Sequence, residues 1–127
     1  DYFLLNHYTS RYVKHAPGSG PVDAAAVTEK DGVPIGPRAA SFWLFSVPWG
    51  FRKLIAHVAA RYGAEILITE SGCDGPGEET KPLPGVLDDA FRLAYYKDYV
   101  AAAEAAVRHD GANVTSYASW SLLDNFE

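Results

Sequence analysis

Apolar residues recur along this chain in two rhythms. Tyr2-Phe3-Leu4-Leu5 is a short continuous run that predicts a buried strand. Phe51, Leu54, Ile55, Val58, Ala59 and Tyr62 fall at helical spacing on one face. Pro48 suits the first turn of that helix, and Gly63 is placed to end it. Ile66-Leu67-Ile68-Thr69 is rich in β-branched residues and bounded by turn signals, so it predicts a second buried strand. A second helix is predicted from an N-cap at Asp88 to about His109, with Gly111 as its stop. Val114 to Ser119 reads as a third strand. The stretch from Thr9 to about Val47 carries many Gly and Pro residues and is expected to be a long irregular loop. Ser71 to Gly85, rich in Gly, Pro and acid, is expected to be a second loop.

The order strand, loop, helix, strand, loop, helix, strand predicts an α/β architecture with a parallel sheet and right-handed crossovers. It fits part of a doubly wound sheet or part of a (β/α)8 barrel. In both, chemistry gathers at the carboxyl ends of the strands. Asn6 and Tyr8 follow the first strand, Glu70 the second, and Trp120 and Glu127 the third. All of them leave the sheet at the same edge, and that coincidence is the argument for a site.

Composition narrows the field. With 127 residues the chain is at most one domain, spanning residues 1–127. It has no Met, opens on an apolar run and ends inside a motif, so it reads as a piece of a longer protein. A formal charge of −5 argues against a nucleic-acid partner. Lys and Arg are scattered, and no apolar run approaches the roughly 20 residues of a membrane span, so no membrane partner is expected. The single Cys73 has no partner for an internal disulfide. His7, His15, His57 and His109 show no metal spacing, so no metal site is expected. No Gly-rich phosphate cradle sits at a strand-to-helix turn, and no Ser–His–acid spacing stands out. Asn113-Val114-Thr115 matches a glycosylation acceptor but leads into a predicted buried strand.

The aromatic and acidic residues at the strand exits offer chemistry suited to sugars. Aromatic rings stack on the C–H faces of a sugar, and carboxylates hydrogen-bond its hydroxyls. A carboxylate at a strand exit can also attack an anomeric carbon. Glu70 is the candidate nucleophile. Its plainer reading is a carboxylate that caps the next turn or pairs with Arg11 or Arg52. Retention of configuration would need a second carboxyl roughly 5–5.5 Å away. Glu65, Glu78, Glu79 and Glu104 do not fall at matching strand ends. Trp120 is a core residue on its plainer reading and Glu127 a solvated acid, but together at one strand end they suggest a sugar platform. Tyr8 could donate to a carboxylate, and Trp43 could flank a cleft.

Four segments then carry a resemblance: Leu5 to Tyr12 (LNHYTSRY), Val47 to Leu54 (VPWGFRKL), Ile68 to Gly72 (ITESG), and Trp120 to Glu127 (WSLLDNFE). Asp88-Asp89-Ala90-Phe91-Arg92 and Tyr95-Tyr96 lie between them and add to it. In this order and spacing the chain resembles the C-terminal part of a family 1 glycoside hydrolase of the β-glucosidase type. The resemblance implies about the last three strands of a (β/α)8 TIM barrel, the sixth to eighth. It implies Glu70 as catalytic nucleophile and Tyr8 as the residue that orients it. It implies a substrate-binding role for Asn6 and Trp43, with Trp43 on the aglycone side. Trp120 would lie under the non-reducing sugar, and Glu127 would bind that sugar's hydroxyls.

The implied activity is retaining hydrolysis of β-glycosides or oligosaccharides by the parent protein, with no metal or organic cofactor. An acidic Glu127 would repel a 6-phosphate, so unphosphorylated glycosides are expected. Two departures bear on this. Ser71 stands where the family has Asn after the nucleophile, which bears on the hydrogen bonds around Glu70. No Asn-Glu-Pro occurs, so the acid/base of the family is absent from this chain, and the isolated fragment is expected to be inactive. A non-catalytic sugar-binding relative, an inactive truncated product, transfer to another sugar and an unrelated flavodoxin-like module are the alternatives.

Overall fold

The computed structural model describes residues 1–123, and the expected contribution of Glu127 lies outside the described residues. Strand β1 spans Tyr2–Asn6, and two small antiparallel hairpins follow. The first pairs β2 (Tyr12–His15) with β3 (Ala24–Val27), and the second pairs β4 (Glu29–Lys30) with β5 (Val33–Pro34). Helix α1 (Pro48–Tyr62), strand β6 (Glu65–Glu70), the short helix α2 (Leu83–Leu87), helix α3 (Ala90–Asp110) and strand β7 (Val114–Tyr117) complete the order. A single 3-10 turn at Glu78–Thr80 precedes α2.

The main sheet is parallel and three-stranded, in the order β1-β6-β7, as the strand and helix alternation predicts. The central β6 has Ile66 and Ile68 fully buried. With Leu5 they meet Phe51, Ile55 and Val58 of α1 and Tyr95, Tyr99, Ala102, Ala103 and Ala106 of α3. Alanines at 102, 103 and 106 let α3 lie close to α1, since a small side chain keeps the helix axes near one another. Pro48 opens α1, and Gly63 closes it in the left-handed region (φ 61), its N–H donating to the Ala59 carbonyl.

Three expectations need correction. The first strand is buried at Leu5 only, with Tyr2 and Leu4 at 68% and 65% exposure. β1 is an edge strand, and the buried cluster lies on the face that carries Leu5. The Thr9–Val47 stretch is not irregular throughout. Asp31 (φ 54) and Gly32 (φ 76) are both left-handed, the geometry of a two-residue hairpin turn, so this dipeptide reverses the chain between β4 and β5. Helix α3 starts one residue later than expected, capped by Asp89, whose carboxylate accepts from the Arg92 N–H at 3.2 Å. No described helix is long and apolar enough to cross a membrane.

Candidate active site

At the carboxyl edge of the sheet the register slips between Leu5 and Asn6, and Asn6 comes opposite Glu70. Bulges of this kind re-aim side chains beside active sites. The His7 N–H donates to the Glu70 carbonyl at 2.9 Å, so the two strand ends stay joined past the last regular pair. Tyr8 then reaches across, and its hydroxyl donates to Oε2 of Glu70 at 2.6 Å. A bond this short to a carboxylate oxygen is of the charge-assisted class. The alternative partners are engaged elsewhere. Arg52 forms a bidentate pair with Asp110 at 2.8 and 2.9 Å. Arg11 donates to Thr9 Oγ1 and to the Ser10 and Trp43 carbonyls.

Glu70 and Tyr8 line a cavity of about 750 Å³. Trp43 and Trp120 line it too, each partly exposed, at 43% and 38%. Trp43 meets the Tyr8 ring edge-on, with centroids 6.4 Å apart. Its loop is pinned at both ends. Asp74 accepts from the Ser41 N–H and hydroxyl at 2.7 and 2.6 Å. Thr9 Oγ1 donates to the Phe45 carbonyl at 2.9 Å and accepts from the Phe45 N–H at 3.1 Å. Trp120 is pinned equally firmly. Its N–H donates to the Ser71 carbonyl at 2.9 Å, and its own carbonyl accepts from the Tyr96 hydroxyl at 3.1 Å. A Cβ at position 72 would overlap the Trp120 carbonyl oxygen, so the close approach of these two segments requires Gly72.

The structure thus brings four of the six candidates together: Tyr8, Glu70, Trp43 and Trp120. Asn6 sits at the strand end but outside the cavity wall, where its Oδ1 accepts from the Thr69 hydroxyl at 2.5 Å. Ser71 is fully buried, and its hydroxyl lies 3.4 Å from that of Tyr95. Several lining residues have no role assigned from the sequence. Asp74, Tyr96 and Arg92 are among them. Glu78, set aside there as a second carboxyl, lines the cavity too and pairs with Arg92 at 2.6 Å, while Arg92 also pairs with Asp89 at 2.7 Å. The signal for Asp74 was its place two residues after Gly72. Arg92 and Tyr96 stood in segments noted only for their resemblance. Cys73 also lines the cavity, but burial pushes its thiol up to about 12, which keeps it protonated and a poor nucleophile. Among the described residues no group of three or more His, Cys, Asp and Glu could hold a metal ion.

Known proteins resemble this chain along its whole length. The profile of Glycosyl hydrolase family 1 matches residues 1–127. Beta-glucosidase 38 of rice (Oryza sativa subsp. japonica) is 46% identical over 134 residues, covering 100% of this chain and 27% of the relative. Beta-glucosidase 44 of Arabidopsis thaliana is 42% identical, with 100% and 26% covered. Among solved structures, a family 1 β-glucosidase from the fungus Humicola insolens, in complex with glucose, superposes with a TM-score of 0.92 at 44% identity, covering 98% of this chain and 28% of that one. Beta-glucosidase 2 of Trichoderma reesei gives 0.90 at 40%, with 98% and 28% covered. These neighbours are TIM-barrel enzymes, and the three parallel strands here correspond to part of such a barrel, with no closed barrel among the described residues. The chain spans about a quarter of the length of the curated relatives it matches. On the match across all of its residues, the chain belongs to glycosyl hydrolase family 1.

Proposed function

We propose that this chain carries the nucleophile half of the active site of a retaining β-glycosidase, and that it forms the sixth to eighth strands of that enzyme's barrel. The observation that supports this most is the 2.6 Å bond from the Tyr8 hydroxyl to Glu70, at a sheet edge flanked by two partly exposed tryptophans. A carboxylate so held has one oxygen engaged while its residue lines the cavity. In the first step a Glu70 oxygen bonds the anomeric carbon while the glycosidic oxygen leaves with its electron pair and takes a proton from a carboxylic acid. In the second step the resulting carboxylate takes a proton from water, and that water's oxygen displaces Glu70 from the same carbon.

The acid/base comes from outside residues 1–127 on this reading. Of the other carboxylates lining the cavity, Asp74 holds Ser41 through one oxygen, and Glu78 is paired with Arg92. Trp120 would be the platform for the non-reducing sugar, Trp43 would line the aglycone side, and Asn6 and Glu127 would contact sugar hydroxyls. The homologues named β-glucosidases favour a β-glucoside as substrate. The test is hydrolysis of an aryl β-glucoside by the full-length protein, followed by proton NMR. The proposal predicts that β-glucose is released first and mutarotates later. Initial release of the α-anomer, or saturable binding of the glucoside without hydrolysis, would rule it out.

A further inference from the structure

Behind Tyr8 lies an arrangement that the nucleophile chemistry leaves unexplained. Tyr95 and Tyr99 are one helical turn apart on α3, both buried, with rings stacked at a centroid distance of 4.0 Å. Both hydroxyls point at one atom. Tyr95 donates to the Tyr8 carbonyl oxygen at 3.0 Å, and Tyr99 donates to the same oxygen at 3.2 Å. A carbonyl has two lone pairs, so the pair of phenols can satisfy both. Each phenol is also tied elsewhere. The Tyr99 oxygen accepts from the Val47 N–H at 3.1 Å, and the Tyr95 oxygen lies 3.4 Å from the hydroxyl of Ser71, the neighbour of Glu70. Desolvation raises the pKa of both phenols, so both remain protonated donors.

We infer that Tyr95, with Tyr99 beside it, is a positioning residue for the nucleophile: the pair fixes the Tyr8 backbone and thereby holds the Tyr8 hydroxyl on Glu70. The inference rests on the reading of Glu70 as nucleophile. A donor at 2.6 Å works only while its main chain stays in place, and a fraction of an ångström of drift loosens that bond. Substitution by Phe keeps each ring and removes its donor.

The experiment is inactivation of the full-length protein by 2,4-dinitrophenyl 2-deoxy-2-fluoro-β-glucoside. A Glu70 oxygen bonds the anomeric carbon as dinitrophenolate departs with its electron pair, and the rate constant is read per active site. Tyr95→Phe is expected to slow this step roughly fivefold, the scale of one hydrogen bond, with the inactivator dissociation constant unchanged. In a Tyr8→Phe background the same substitution is expected to add nothing, because its effect passes through the missing hydroxyl. Tyr99→Phe, which also strands the Val47 N–H, is the second variant and should show the same non-additivity. Equal slowing in both backgrounds, or no slowing in either, overturns the inference while leaving Glu70 as nucleophile. Failure of the unsubstituted protein to take the label overturns the catalytic reading and the inference with it.

Discussion

The Glu70 carboxylate accepts from the Tyr8 hydroxyl, and a hydrogen bond to a charged group contributes about 1.5–3 kcal/mol. If that bond orients the attacking carboxylate, Tyr8→Phe should lower kcat for an aryl β-glucoside by roughly 10- to 100-fold, with a smaller change in KM. Steady-state kinetics of the full-length variant checks this, and an unchanged kcat would show that the bond is structural only. His7, next in the chain, has a different role. Its ring stacks on Phe51 with centroids 4.8 Å apart, and burial lowers its pKa from 6.5 to about 4. The folded state therefore excludes a proton that the unfolded chain accepts. The stability that this neutral ring contributes is fully present above pH 6.5 and is lost as pH falls toward 4, up to roughly 3 kcal/mol. Thermal melts of wild type and His7→Gln between pH 7 and pH 4 should converge as the pH drops. A constant gap between the two would contradict the assignment.

Elements place these residues, and they show what the sequence could and could not reveal. Both long helices, the central strand and the parallel order were legible, because Phe51, Ile55 and Val58 recur at helical spacing and Ile66 to Ile68 form a compact apolar run. The hairpins were missed for two separate reasons. Ala24–Val27 is alanine-rich and carries no strand pattern, and the Asp31-Gly32 turn signal is submerged among the many Gly and Pro residues of its stretch. Tyr8 and Glu70 were legible at one sheet edge because each falls at the end of an apolar strand, and their pairing rested on the family resemblance. The carboxyl-edge bulge that sets their distance was not, since register has no local signature. Nor were the contacts of Asp74, which depend on a loop 33 residues away in sequence. Gly72 illustrates the same point. Its need for a bare Cα comes from Trp120, far along the chain, so Gly72→Ala should displace the Trp120 segment and destabilise by about 1–3 kcal/mol. Its KM for an aryl β-glucoside should rise, and a KM equal to that of wild type would show that Trp120 does not bear on the sugar.

The main sheet has three parallel strands and two edges, β1 and β7, and large apolar side chains such as Tyr2, Leu4, Leu83 and Leu93 are exposed. Open edges and uncovered apolar surface favour association over independent folding. The 127-residue chain expressed alone should therefore melt broadly by far-UV circular dichroism and should not hydrolyse an aryl β-glucoside, and a sharp cooperative transition with turnover would refute both expectations. The central claim concerns the full-length protein, and it is that Glu70 becomes covalently attached to the sugar. The most direct measurement is peptide mapping by mass spectrometry after incubation with a 2-deoxy-2-fluoro-β-glucoside. The account predicts one fluoroglucosyl adduct on the peptide containing Ile68-Thr69-Glu70-Ser71-Gly72, localised to Glu70 and abolished in Glu70→Gln. An adduct on another carboxylate, or none while the glucoside is still hydrolysed, would contradict it.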